Sequence, residues 1–210
     1  MKKISTNTLR RLPRYYRLLD EMVKSGQDKT SSGKLAKIMG LNASQIRNDL
    51  NCFGGFGQQG YGYNTLMLRD EIGRLLGQER HFGCIVIGAG NLGRALISHI
   101  NFKDLGYRLV GVFDSNEAFA GQMVSGMPIR HISGLDDFCR LEKPTVAVLC
   151  VPKEAALEVA RQLYRLGVKA LWNFTPVHLS VELPDMIVEN VHLEDSLMAL
   201  GYKLQEGLPL

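Results

Sequence analysis

The stretch Gly83–Ile100, "GCIVIGAGNLGRALISHI", decides the fold. Its apolar run from Cys84 to Ile87 reads as a short buried strand that enters Gly88-x-Gly90-x-x-Gly93, and the residues after it have helical spacing. A glycine pattern of this kind is weak alone, but three features of its setting strengthen it. A strand precedes it, a helix follows it, and a second strand, "RLVGVFD", ends in Asp114, 21 residues beyond Gly93. The glycines would admit a pyrophosphate against the backbone, the helix N–H groups would bind it, and Asp114 would accept the ribose hydroxyls. The expected cradle is therefore Gly88, Ala89, Gly90, Asn91, Leu92 and Gly93, with Asp114 as the ribose acid. "SNEAF" after Asp114 offers no Arg for a 2′-phosphate, which favours NAD(H) over NADP(H).

Downstream, strands and helices keep alternating. "GMPIRHI", "PTVAVLCVP", "VKALWNF" and "MIVENVHL" read as strands, with "GLDDFCRL" and "KEAALEVARQLYRLG" as helices. That alternation implies a mostly parallel, doubly wound α/β sheet with its ligand at the carboxyl ends of the strands. Val151, Pro152, Asn173 and Phe174 end two such strands and are further candidates for the cofactor site.

Upstream the chemistry changes. Residues 1–80 hold 14 Lys and Arg against 7 Asp and Glu, a balance of +7, whereas residues 81–210 hold 11 against 14, a balance of −3. Such asymmetry points to a basic N-terminal unit that faces a polyanion. "RLPRYYRLLDEMVKSG" has amphipathic helical spacing, with Pro13 placed in its first turn and Arg10, Arg11, Arg14 and Arg17 on its polar face. "TSSGKLAKIMG" and "LNASQIRNDLNCF" follow as two short helices joined by a tight turn at Gly40, the requirement of a helix-turn-helix. Ile46 and Leu50 face inward on the second, which turns Ser44, Gln45, Arg47 and Asn48 outward, and Arg, Gln and Asn can all bond base edges bidentately. "GGFGQQGYGY" then reads as the wing hairpin of a winged helix, with Gln58, Gln59, Gly60 and Tyr61 at its tip. "LMLRDEIGRLLG" closes the unit as a helix with Leu66, Ile72, Leu75 and Leu76 inward.

Other function classes receive little support. The four cysteines lack ligand spacing and indicate neither zinc nor a disulfide framework. There is no signal peptide or run of 18 apolar residues, so a cytoplasmic protein without a membrane partner is expected. No nucleophile elbow or acid–base pair is present, and a dinucleotide fold without a substrate domain suggests a sensor rather than an enzyme. The tail "EDSLMALGYKLQEGLPL" forms a helix with Leu197, Leu200 and Leu204 along one side, which needs its own sheet or a twofold partner to cover it.

Seven segments in a fixed order, "RLPRYYRLL", "SQIRNDL", "GFGQQGYGY", "GAGNLGRAL", "CVPKEAA", "NFTPVHL" and "VHLEDSLMALGY", give the chain a resemblance to the Rex redox-sensing transcriptional repressors of bacteria. The resemblance implies a winged helix over residues 1–80, a Rossmann NAD(H) domain over 81–190, and a C-terminal dimer-exchange helix and tail over 191–210. It also implies a homodimer on a palindromic DNA operator, released by NADH. Arg10, Arg14, Ser44, Gln45, Arg47 and Asn48 then belong to the DNA interface, while Arg17, His99, His192 and Leu193 belong to domain coupling and the dimer. Five positions depart from the family pattern: Asn48, Gln58 and Gln59 stand where basic residues are usual, and His99 and His192 replace a Tyr and an Asp. Losing that Asp removes an anion from a network with Arg, and a diverged paralogue with altered operator specificity or weakened redox coupling is the second reading. A small NAD-dependent oxidoreductase is the third. If the wing tip touches DNA, Gln58→Lys with Gln59→Arg steepens the salt dependence of binding by about one unit per added contact. An unchanged slope places the tip off the DNA.

Overall fold

The computed structural model describes residues 4–52, 57–58 (as backbone) and 62–207. Gln59, Gly60 and Tyr61 of the expected wing tip, and the side chain of Gln58, lie outside the described residues. The chain divides into two compact units, Met1–Glu79 and Arg80–Leu210.

The first unit contains helices α1 (Thr6–Lys24), α2 (Ser32–Met39), α3 (Ala43–Asn51) and α4 (Thr65–Leu75), with short strands β1 (Lys29–Thr30), β2 (Gly57–Gln58) and β3 (Gly62–Asn64). Helix α1 begins earlier than its periodicity suggests, because Ser5 caps it by accepting from the Thr8 amide, and Pro13 therefore lies in its interior. Pro13 is exposed, as is Leu9, whose carbonyl loses its i+4 donor on the solvent side where water can replace it. Ser31 and Asn42 cap α2 and α3 by the same side-chain logic. Strands β2 and β3 form the expected hairpin, Gly57 opposite Tyr63 and Gln58 opposite Gly62, and β1 joins it as an unforeseen third strand. The core draws on Leu12, Tyr15 and Leu19 of α1, Leu35 of α2, Ile46 and Leu50 of α3, and Leu68 and Ile72 of α4. Leu66, expected inward, is 47% exposed, and Leu68 takes that place. The cause is phase: Leu68 and Ile72 are four apart and define the buried stripe, from which Leu66 points away.

The second unit is built on β4 (Phe82–Ile87), β5 (Tyr107–Asp114), β6 (Met123–Val124), β7 (Met127–His131), β8 (Val146–Leu149), β9 (Ala170–Asn173) and β10 (Ile187–Asn190). Its helices are α5 (Asn91–His99), α6 (Leu135–Glu142), α7 (Lys153–Arg165), α8 (Leu179–Glu182) and α9 (Leu193–Gln205). The strands run in the order β10-β9-β8-β4-β5-β7-β6, parallel except for the β6–β7 pair. Strand β4 shows why the sheet needs two covered faces: Ile85 and Ile87 enter one core with α6, α7 and α8, while Cys84 and Val86 enter the other with Ile97 of α5. All four cysteines are free. Helix α9 contributes no buried side chain, and its apolar residues, Leu197, Met198 and Leu204 among them, are 39–74% exposed.

The strand β4 to helix α5 turn is closed by backbone contact. Gly88 has φ +98°, and a Cβ there would lie 2.3 Å from the Cys150 carbonyl oxygen; a Cβ on Gly93 would lie 1.9 Å from the Gly88 oxygen. Gly90 differs, with φ −72° and nothing within 4 Å of a Cβ. Gly93→Ala is therefore expected to cost about 1–3 kcal/mol of stability by overpacking, whereas Gly90→Ala changes it by less than about 0.5 kcal/mol. Chemical denaturation of the two variants checks the contrast.

Candidate nucleotide site and nucleic-acid interface

In the second unit β4 is flanked by β5 on one side and β8 on the other, so chain direction across the sheet reverses at the β4/β8 boundary. A crevice at the carboxyl ends of these strands is where ligands of doubly wound sheets bind. The glycine loop lies there and is held on all sides. The Gly88 amide donates to the Phe113 carbonyl at 2.8 Å, and the Cys150 amide to the Ile87 carbonyl at 2.8 Å. Arg94 Nε donates to the Ala89 carbonyl at 2.7 Å while its guanidinium covers the Phe119 ring at 4.6 Å and reaches Gln122 Oε1. Gly90 occupies the cap position of α5 without a side chain to satisfy the helix's first N–H groups, among them those of Asn91, Leu92 and Gly93.

Asp114 ends β5 beside this loop. One carboxylate oxygen, Oδ2, accepts from the Ala89 amide at 2.6 Å, and the other, Oδ1, from the Asn116 amide at 2.8 Å. Each oxygen retains lone-pair capacity for a further donor. Open space over Gly90, free helix amides and an oriented carboxylate fit an unphosphorylated dinucleotide. Val151 and Pro152 continue from Cys150 at the rim, and Pro152 caps α7. Burial pushes the Cys150 thiol up to about 12, so it stays neutral near pH 7. Asn173 is fully buried and its amide is committed internally: Nδ2 donates to the Val177 carbonyl and to Asn190 Oδ1, and Oδ1 accepts from the Thr175 amide and hydroxyl. Its side chain ties β9 to β10 and leaves only backbone for a ligand. Phe174 stacks edge-on against Trp172 at 4.7 Å.

Of the expected coupling residues, Arg17 is exposed on α1, His99 is exposed at the end of α5, and Leu193 is exposed at the start of α9. His192 occupies the cap position of α9, and its Nε2 is buried without a hydrogen-bond partner among the described residues. The ring beside it is that of His178, 5.5 Å away and tilted by 61°. Sequence reading missed His178 because the two lie after different strands.

In the first unit α2 and α3 form the helix-turn-helix. Ser44, Arg47 and Asn48 are exposed on α3 and Gln45 is half-buried. Arg47 is held by hydrogen bonds to Ser44 and Ser32, and Arg10 is exposed on α1. Arg14 instead donates to the Met39 carbonyl at the end of α2, which braces the turn. The contact that sequence reading did not foresee is Asp49 of α3, only 3% exposed. It accepts from Thr8 Oγ1 at 3.0 Å, from Arg11 Nε and Nη2 at 2.7 Å each, and from Tyr15 Oη at 2.8 Å. Burial alone would raise the Asp49 carboxyl, but the bonds from Arg11, Tyr15 and Thr8 and the Arg11 charge outweigh it and hold it below its ordinary value. Its partners move the other way. Burial and the bond to Asp49 push the Tyr15 phenol up, and the same carboxylate raises Arg11.

Comparison with known proteins resolves what these two sites have in common. The model of a "Putative DNA-binding protein N-terminus" family matches residues 3–51, and that of a "CoA binding domain" family matches residues 79–177. The redox-sensing transcriptional repressor Rex of Caldicellulosiruptor saccharolyticus is 45% identical over 207 residues, covering 99% of this chain and 94% of its own length. The chain belongs to the Rex family. The Rex of Thermoanaerobacter pseudethanolicus is likewise 45% identical, over 97% of this chain and 91% of its own. Among solved structures, the Rex-family repressor RSP in complex with β-NAD+ and operator DNA superposes with a TM-score of 0.91 at 43% identity, covering 99% of this chain and 95% of that one. RSP in complex with β-NADH gives 0.89 at 40% identity, covering 99% and 97%. The Rex-family fold, an N-terminal DNA-binding domain and a C-terminal Rossmann-like domain, is thus the fold of this chain.

The Asp49 cluster makes acid stability measurable. The carboxyl's folded value lies below its unfolded one, near 3.9, so its stabilisation is complete above that value and is lost as pH falls through the folded value. The stability difference between wild type and Asp49→Asn is expected to be constant above about pH 5 and to shrink below about pH 4, read from denaturation curves across that range.

Proposed function

We propose that this Rex-family chain is a transcriptional repressor that binds operator DNA as a homodimer in the cytoplasm and is released when NADH replaces NAD+. The observation that carries the reading is the match, at a TM-score of 0.91, to RSP bound to both β-NAD+ and operator DNA. The chain's own geometry supports it. The glycine loop and the first turn of α5 would hold the pyrophosphate, Asp114 would hold the adenosine ribose, and Val151 and Pro152 would line the far side of the crevice. Asp114 also bears on ligand choice. Its charge would repel the phosphorylated ribose of coenzyme A or NADP(H), so the unphosphorylated dinucleotide is favoured despite the description of the family model that matches there. When bound, the nicotinamide supplies the redox state that is read; the protein supplies binding and orientation, and no group here is assigned a catalytic step.

Ser44, Gln45, Arg47 and Asn48 would read base edges, with Arg10 and the wing on the backbone or groove. A homodimer is supported by α9, whose apolar residues stay exposed among the described residues, and by an apolar hollow of 330 Å³ lined by Val146, Val148, Trp172 and Ile187. Two reading helices in such a dimer suit half-sites about 34 Å apart or a multiple of that. The second reading, a paralogue with weakened redox coupling, is favoured by His192, whose buried Nε2 has no hydrogen-bond partner among the described residues. Arg17, His99 and Leu193 remain the proposed coupling and dimer residues.

Fluorescence anisotropy with DNA selected from a random pool tests both readings. Saturating NADH is expected to weaken operator binding by about tenfold or more relative to NAD+. Retention of DNA in NADH supports the weakened-coupling reading, and failure to select any sequence overturns the repressor. Gly90→Ala, which should fold, is expected to lose NAD(H) affinity and with it the redox response.

A further inference from the structure

We propose that Asp49 is the positioning residue that sets the orientation of the reading helix, and through it the discrimination among DNA sequences, an inference that rests on the DNA-binding reading above. Helix α3 has nine residues and only two apolar side chains, Ile46 and Leu50, fully buried beneath it. These contacts, with Ala43 packed beside them, hold the helix down but constrain its rotation more weakly than a directional bond does, because dispersion has little directionality. Asp49 supplies direction. Its donors on α1, Thr8, Arg11 and Tyr15, are spaced three and four residues apart and so share one face of that helix. Arg11 binds in bidentate fashion, so the carboxylate plane is fixed as well as its position. Helix α1 is itself anchored by Leu12 and Leu19, both fully buried.

Arg47 is two residues from Asp49, about 200° around the helix, so what locks one side orients the other. A rotation of about 20° would move side chains about 5–6 Å from the axis by roughly 2 Å. Bidentate base contacts do not survive such a shift, since their bonds span only about 2.7–3.2 Å. A buried ion pair is a poor way to gain stability compared with hydrocarbon, and its best-attested use is to fix register. That is the use its place in α3 implies.

The test is a ratio. Affinities of full-length wild type and Asp49→Asn are measured, in NAD+, for pool-selected DNA and for the same DNA with single base pairs changed under the reading helix. Both DNAs are bound by the same protein sample, so partial unfolding cancels and a merely structural role leaves the ratio untouched. Discrimination is expected to fall about tenfold in Asp49→Asn, with NAD(H) affinity unchanged because that site lies in the other unit. A smaller fall is expected for Tyr15→Phe, which removes one of four bonds and keeps the ion pair. Replacing the cluster with hydrocarbon, Asp49→Leu with Arg11→Met and Tyr15→Phe, is expected to recover folding but not discrimination. Wild-type discrimination in Asp49→Asn, or its recovery in the hydrocarbon variant, overturns the proposal. Loss of discrimination by wild type itself would instead overturn the DNA-binding reading on which it rests.

Discussion

No atom fits between Gly93 and the carbonyl of Gly88, and the second unit is arranged around that absence. Because the first turn of α5 presses onto the end of β4, the helix axis is directed at the crevice and its amides face the space above Gly90. The Cys150 carbonyl presses onto Gly88 from the other side, so a side chain is excluded there too, and Val151 and Pro152 follow directly after this contact. The side-chain bonds come afterwards. Asp114 reaches the Ala89 amide and Arg94 the Ala89 carbonyl only because the loop is already compact, and they stiffen a shape that backbone contact dictates.

The first unit solves a similar problem by opposite means. Helix α3 is exposed along most of one side and cannot be gripped by backbone. A single carboxylate takes that role, gathering four hydrogen bonds from one face of α1. Steric closure suits a site that must accept a ligand against its backbone, and charge-assisted bonding suits a helix that must hold an angle. The chain keeps the devices in separate units, each with its own core.

Much of this was legible in the residues. The strand–glycine–helix setting of Gly88 to Gly93, Asp114 at the end of the next strand, the paired short helices and the hairpin all follow from local patterns that repeat wherever those shapes occur. What was not legible depends on contacts between distant positions. Asp49 reads as one more polar residue on a polar helix until Thr8, Arg11 and Tyr15, 34 to 41 residues earlier, are brought beside it. Asn173 reads as a ligand residue because it ends a strand, and only Asn190 and Thr175 reveal its amide as spent. Leu66 and Leu68 differ by a phase that spacing alone left open, and Pro13 was misplaced because Ser5, not proline, decides where α1 begins.

Helix α9 carries a consequence for the cell rather than for the fold. A helix that exposes most of its apolar surface among the described residues would gain cover by meeting another chain, and the stability of that docked form would rise with the amount of protein made. In such a design the docked form of the helix has a threshold of abundance, below which its apolar side stays uncovered. The amount of protein made would then decide how much of it is in the paired form.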